Sequence, residues 1–204
     1  MHGGRVRSFA HVRGNWATYI FVPVTVDKHL GNLVRKLVKA AREFTGSDWQ
    51  CVDDFHISVS RTVVLAHHCI EPFTDSIKTQ LEFVKSFIIT FEGVELYTND
   101  EKTRSFLGLK VGFGHSDLCN IIAHTDAVMQ DFHLTKFYLQ PSFHMSVGWC
   151  VGDLTESVAA ETITCFNKLM LGQQRDHGDS FTMLVSEFRC KTGNRVYVYP
   201  LDDS

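Results

Sequence analysis

The chain carries Phe55-His56-Ile57-Ser58-Val59 and, with its histidine 88 residues further on, Phe143-His144-Met145-Ser146-Val147. Each copy alternates apolar and polar side chains, the period of a half-buried strand. His56 and Ser58 therefore share one face of a strand, as do His144 and Ser146. Phe55, Ile57 and Val59 turn the other way, as do Phe143, Met145 and Val147. Each strand thus buries an apolar side and presents an imidazole beside a hydroxyl. If the two strands converge, two histidines and two hydroxyls surround one small space.

Outward from these copies, the chain alternates strand and helix patterns. Residues 16–26, rich in aromatic and β-branched types, predict a strand. Asp27 offers an N-cap to a helix with Leu30, Leu33, Val34, Leu37, Val38 and Ala41 on one stripe and Gly46 as its stop. The first His-containing strand spans 54–61. Phe73, Ile77, Leu81 and Val84 predict a second helix. Residues 87–97 and 105–113 predict a strand pair turning near Asn99-Asp100. Leu118, Ile121, Ile122, Met129 and Phe132 form a third helical stripe, followed by the second His-containing strand at 142–151. Asp153 and Glu156 have the spacing of a capping box for a helix carrying Ala159, Ile163, Phe166 and Met170 and ending at Gly172. A polar loop at 173–179 leads to strands at 181–190 and 195–199, joined by the turn Lys191-Thr192-Gly193-Asn194. Each half supplies strands, a helix and one His-x-Ser strand. The expected fold is α+β: one domain over 1–204, with two pseudo-symmetric lobes whose antiparallel sheets flank a central cleft and helices outside.

Bulk properties narrow the chemistry. Lys and Arg number 20 against 23 Asp and Glu, a net charge of −3, which disfavours a broad basic surface for duplex nucleic acid. A small site gripping one or two phosphates stays open. No run of 18 apolar residues predicts a membrane span, and the opening residues lack the apolar stretch of a signal peptide. The six cysteines include no Cys-x-x-Cys and read as reduced, intracellular thiols.

At neutral pH one imidazole can accept a proton while another donates one. Two facing histidines suffice to cleave RNA without metal. One takes the proton of a ribose 2′-hydroxyl, that oxygen attacks phosphorus, and the other protonates the departing 5′-oxygen. The serines can donate to non-bridging phosphate oxygens. Taken singly, a His-x-Ser is more often structural; two copies with matching flanks reverse that reading. No carboxylate or thiolate accompanies both copies at ligand spacing, so no metal is expected, and no Gly-x-Ser-x-Gly elbow marks a serine nucleophile. Gly112-Phe113-Gly114 reads as a turn. His67 and His68 belong to a loop or helix start, and the remaining histidines are structural or superficial. Two alternatives stand beside RNA cleavage: a phosphodiesterase acting on small 2′,3′-cyclic nucleotides, and a non-catalytic module binding RNA ends.

Repeated His-x-Ser strands in a bilobal α+β chain resemble the two-histidine (2H) phosphoesterase superfamily. His2-Gly3-Gly4-Arg5, Gly14-Asn15-Trp16-Ala17, Phe55-His56-Ile57-Ser58-Val59-Ser60, Tyr97-Thr98-Asn99, Thr103-Arg104, Phe137-Tyr138-Leu139-Gln140-Pro141-Ser142-Phe143-His144 and Arg189-Cys190-Lys191-Thr192-Gly193-Asn194 narrow the likeness. Together they resemble the U6 small nuclear RNA phosphodiesterase family, from His2 to about Leu201. The resemblance implies a nuclear, monomeric 3′-to-5′ exonuclease that trims the oligouridine tail of U6 RNA without a cofactor. Its partner is the single-stranded 3′ end of RNA. His56 and His144 carry over as the acid/base pair, Ser58 and Ser146 as phosphate ligands, and Tyr138 as the ring stacking on the terminal base. Read from the residues alone, Tyr138 is more often a packing residue. A 2′,3′-cyclic phosphate is the expected product, because no third acid/base group is evident to position water.

Overall fold

A computed structural model describes residues 14–202; the His2-Gly3-Gly4-Arg5 motif and His11 lie outside them. In chain order the elements are β1 (Asn15–Pro23), α1 (Lys28–Thr45), β2 (Gln50–Cys51), β3 (His56–Ser58), β4 (Val63–Ala66), α2 (Ile70–Leu81), β5 (Phe87–Thr98), β6 (Arg104–Val111), α3 (His115–Asp131), β7 (His144–Val151), α4 (Ala160–Asp176), β8 (Thr182–Val185), β9 (Glu187–Thr192) and β10 (Arg195–Pro200). The strands form one sheet in the order β10-β9-β1-β3-β7-β6-β5-β8, with β2 added to β7 and β4 to β1. Its strand pairs are antiparallel, as the α+β expectation requires. β8 and β9 occupy distant places in that order, yet only Ser186 separates them in sequence. The sheet must therefore curl until its two flanks approach, and the isolated bridge Lys85–Asp202 sits near that junction.

Local chemistry accounts for both ends of α1. The Asp27 side chain accepts from the backbone N–H of Leu30 (2.8 Å) and starts α1. Gly46, with φ 67°, ends it in the left-handed conformation that glycine adopts without steric cost. The six stripe residues expected for α1 are all buried. α1 packs with α4 and α2 with α3. Ile57, Val59, Met145 and Val147 are each 0 % exposed, so the apolar sides of both His strands lie in the core.

Several expectations need correction. The strand expected at 54–61 is only three residues long, because the chain bends at 59–62 before pairing again with β1 as β4. The Asp153–Glu156 capping box does not form: Asp153 accepts from the N–H and hydroxyl of Thr155, and α4 begins at Ala160 without a side-chain cap. Gly172 does not stop α4, which continues to Asp176. A mid-helix glycine costs roughly 0.5–1 kcal/mol; here Gln174, in the last turn, donates to the carbonyl of Phe91 (2.8 Å) and ties that turn to β5. The expected strand at 181–190 breaks at Ser186, where the sheet curls.

Candidate active site

β3 and β7 are neighbours, with Ile57 opposite Met145. Antiparallel geometry then sets His56 opposite Ser146 and Ser58 opposite His144. The two imidazoles become diagonal neighbours, about 7–8 Å apart at the backbone. Register thus brings the four expected residues together on one face. In β7, Val147 is an extra residue: Ser146 pairs with Gly108 and Gly148 with Leu107. This bulge directly follows His144 and Ser146, and bulges commonly re-aim side chains.

Each imidazole is anchored in the same way. His56 Nδ1–H donates to the carbonyl of Asp54 (2.9 Å), and His144 Nδ1–H to the carbonyl of Ser142 (2.8 Å). A carbonyl only accepts, so the proton resides on Nδ1 and Nε2 is left to take up or deliver a proton. Both side chains are half-buried. His56 lies against Phe21 (ring centroids 5.3 Å, edge-on) and Tyr19 (5.8 Å).

His144 stacks on Tyr97 with centroids 3.6 Å apart and planes 13° from parallel. Tyr97 reaches Ser142 Oγ (3.1 Å) and donates to Glu95 (3.2 Å), and Lys110 pairs with Glu95 at 2.7 Å. Gly108 permits the stack: a Cβ there would lie 2.9 Å from the Tyr97 ring and 3.0 Å from the His144 ring. Burial, with the neighbouring His56, holds the pKa of His144 below 6.5, against the opposing pull of the Ser142 carbonyl and Glu95. Burial also raises the Tyr97 phenol above its ordinary range, so it stays a donor.

Tyr138 is 47 % exposed and held at two points. Its hydroxyl donates to Asp100 (2.9 Å), and the Arg61 guanidinium covers its ring at 4.6 Å from the centroid. Arg61 also pairs with Asp100. Three segments meet there: the bend after β3, the β5–β6 turn and the loop before β7. The sequence reading did not single out Tyr97, Glu95, Lys110, Gly108, Arg61 or Asp100 as site residues. Tyr97 lay within a quoted motif, but only pairing register shows what these side chains touch.

The other histidines lie elsewhere. His67 starts a short 3₁₀ turn with His68, His115 Nε2 contacts the carbonyl of Pro141 (3.1 Å), and the His29 and His177 rings meet at a tilt (centroids 3.7 Å, planes at 31°) near the α1–α4 contact. Gly114, at φ 81°, forms the turn into α3. All six cysteines are free. Among the described residues no three His, Cys, Asp or Glu side chains gather at metal-binding distances, and no helix is long and apolar enough to cross a membrane.

The fold recurs in known proteins. The computed fold is similar to Kluyveromyces marxianus Usb1 with uridine monophosphate (TM-score 0.66, 15% identity, 91% of this chain and 98% of that one). It is also similar to E. coli LigT complexed with 3′-AMP (TM-score 0.56, 11% identity, 92% and 96%). At such identities the likeness is one of fold, that of the 2H phosphoesterases. Sequence carries it further. A family model described as "HVSL: Uncharacterised conserved protein" matches residues 1–200. U6 snRNA phosphodiesterase 1 of Xenopus laevis is 41% identical over 98% of this chain and 79% of its own length. By that identity and coverage, this chain belongs to the U6 snRNA phosphodiesterase family.

Proposed function

We propose that the protein is a 3′-to-5′ RNA exonuclease that trims the uridine-rich 3′ end of U6 snRNA, the substrate named for its relatives, by internal attack of a ribose 2′-hydroxyl. The observation that carries this reading is the matched pair of imidazoles. Each is fixed by Nδ1 on the carbonyl two residues before it, and each stands diagonally across the β3–β7 ladder from the other.

One neutral imidazole accepts the 2′-hydroxyl proton of the penultimate ribose at Nε2. The 2′-oxygen bonds to phosphorus, and the bond from phosphorus to the terminal 5′-oxygen breaks. The other imidazole enters as imidazolium and gives its Nε2 proton to that oxygen. The RNA is left with a 2′,3′-cyclic phosphate, and the terminal nucleoside departs with a 5′-hydroxyl. The histidines have exchanged protonation states and reset through solvent. Ser58 and Ser146 donate to the non-bridging oxygens as charge grows there. The half-exposed ring of Tyr138 stacks on the terminal base. No metal takes part. This reading takes residues 1–204 as one catalytic domain acting as a monomer, in the nucleus, where U6 RNA enters splicing.

A single 2′-deoxy substitution in the penultimate ribose tests the mechanism. Cleavage at that linkage should stop while an all-ribose control is trimmed, in the presence of EDTA. Undiminished trimming of the deoxy substrate, or loss of all activity on chelation, overturns it.

A further inference from the structure

The two imidazoles are anchored alike through Nδ1, but what lies against them differs. His56 meets the rings of Phe21 and Tyr19. His144 meets a ring that is itself tethered: Tyr97, stacked at 3.6 Å, donates from its hydroxyl to Glu95 (3.2 Å). With that proton given to the carboxylate, the Ser142 hydroxyl is the donor in its 3.1 Å contact with the Tyr97 oxygen. The Ser142 carbonyl in turn accepts from His144 Nδ1 (2.8 Å). Ring stack and hydrogen bonds therefore close a loop through His144, Tyr97 and Ser142.

Lys110 and Glu95 complete the support. Lys110 lies opposite His144 in the β6–β7 ladder, and Glu95 lies opposite Gly108 in the β5–β6 ladder. Directly opposed residues project to the same side of a sheet, as do residues two apart on one strand. Both side chains therefore stand on the face that carries the histidines. The Lys110 ammonium reaches the Glu95 carboxylate at 2.7 Å, and the two side chains are 43 % and 42 % exposed. An ion pair so open to water contributes little to stability. Its consequence is where it holds the carboxylate.

We propose that Glu95 and Lys110 are positioning residues for His144. The ammonium fixes the carboxylate, the carboxylate fixes the Tyr97 hydroxyl, and the Tyr97 ring fixes the plane in which the imidazole exchanges its proton. This role rests on the reading of His144 as an acid/base group in RNA trimming. Charge distinguishes it from simple bracing. Among the described residues, the titratable groups that face His144 are Glu95 and Tyr97 from β5, Lys110 from β6 and His56 from β3. Burial lowers the pKa of His144, the Ser142 carbonyl and Glu95 raise it, and His56 lowers it. Lys110→Met leaves the carboxylate unopposed, which favours the imidazolium. Glu95→Gln leaves the ammonium unopposed, which disfavours it.

The test follows the His144 Cε1–H signal of the full chain by NMR across pH, assigned by its absence from His144→Gln, beside kcat and KM for oligouridylate. Relative to wild type, the His144 midpoint should rise by about half a pH unit in Lys110→Met and fall by about as much in Glu95→Gln. Lys110→Arg should keep the wild-type midpoint. Tyr97→Phe keeps the stacked ring and loses both hydroxyl contacts; it should lower kcat about tenfold with KM changed less than about twofold. A midpoint that stays in place in either charge variant, or moves the same way in both, refutes the pair's hold on His144. An unchanged kcat in Tyr97→Phe refutes the link through the phenol. If the midpoints move in opposite directions but the wild type leaves oligouridylate uncut, the hold on His144 stands and the trimming reading has failed.

Discussion

At the scale of single residues, the site depends on how two imidazoles are held. The hydrogen bonds from Nδ1 fix each tautomer, and the Tyr97 stack fixes the plane of His144. Gly108→Ala places a methyl group inside van der Waals distance of both rings. It should lower kcat by roughly 10–100-fold, the cost of displacing a catalytic group by about an ångström, and steady-state kinetics beside a melting curve will show whether the loss is catalytic. The depressed pKa of His144 also has a stability consequence. The native state disfavours its imidazolium, so its contribution is fully present above the unfolded value of 6.5 and is lost as pH falls through the lower native value. The melting temperature of His144→Gln should therefore decline less than that of wild type over that interval. An equal decline would remove His144 from the account of acid stability. The four residues His56, Ser58, His144 and Ser146 were readable because alternation along a strand assigns faces without any tertiary knowledge. Tyr97, Glu95 and Lys110 were not, since they reach His144 from β5 and β6 through pairing that no local spacing encodes.

At the scale of elements, β3 is three residues long and is held by what its middle residue buries. Ile57 is fully enclosed opposite Met145. Ile57→Ala should destabilise the fold by about 2–5 kcal/mol, the usual range for truncating a buried aliphatic side chain. Urea denaturation of the variant measures this, and a loss below about 1 kcal/mol would mean that β3 is held by other contacts. The strongly patterned elements were legible: α1 has a cap, a stripe and a stopping glycine, and β5, β6 and β7 are long enough to show their period. What failed were boundaries set by distant partners. Gly172 reads as a helix stop until Gln174 finds the Phe91 carbonyl. The stretch 181–190 reads as one strand until Ser186 is seen to join two flanks of the sheet. β2 and β4 are too short to show any period.

At the scale of the whole molecule, the curled sheet brings the two halves of the chain to one face, and the Arg61–Asp100–Tyr138 cluster ties three segments across it. Arg61 covers one side of the tyrosine ring, and the Phe137 ring lies across it at 5.1 Å between centroids. Tyr138→Ala should lower kcat/KM for oligouridylate by about 5–100-fold, the worth of one stacked base, and should erase the difference between a uridine and an abasic 3′ terminus. Asp100→Asn should shrink that difference without reaching the Tyr138→Ala level; an unchanged difference would show that Tyr138 is positioned by other means. The pairing of the halves was foreseeable from the repeated motif. The cluster was not, because Arg61, Asp100 and Tyr138 belong to three bends whose meeting depends on sheet curvature.

Which phosphorus–oxygen bond breaks is decided by the chemistry of both products. Mass analysis of oligouridylate after incubation in EDTA should find RNA shortened by one residue and ending in a 2′,3′-cyclic phosphate, together with free uridine. RNA ending in a 3′-hydroxyl, together with uridine 5′-monophosphate, would place the break on the other side of phosphorus and contradict 2′-hydroxyl attack between His56 and His144.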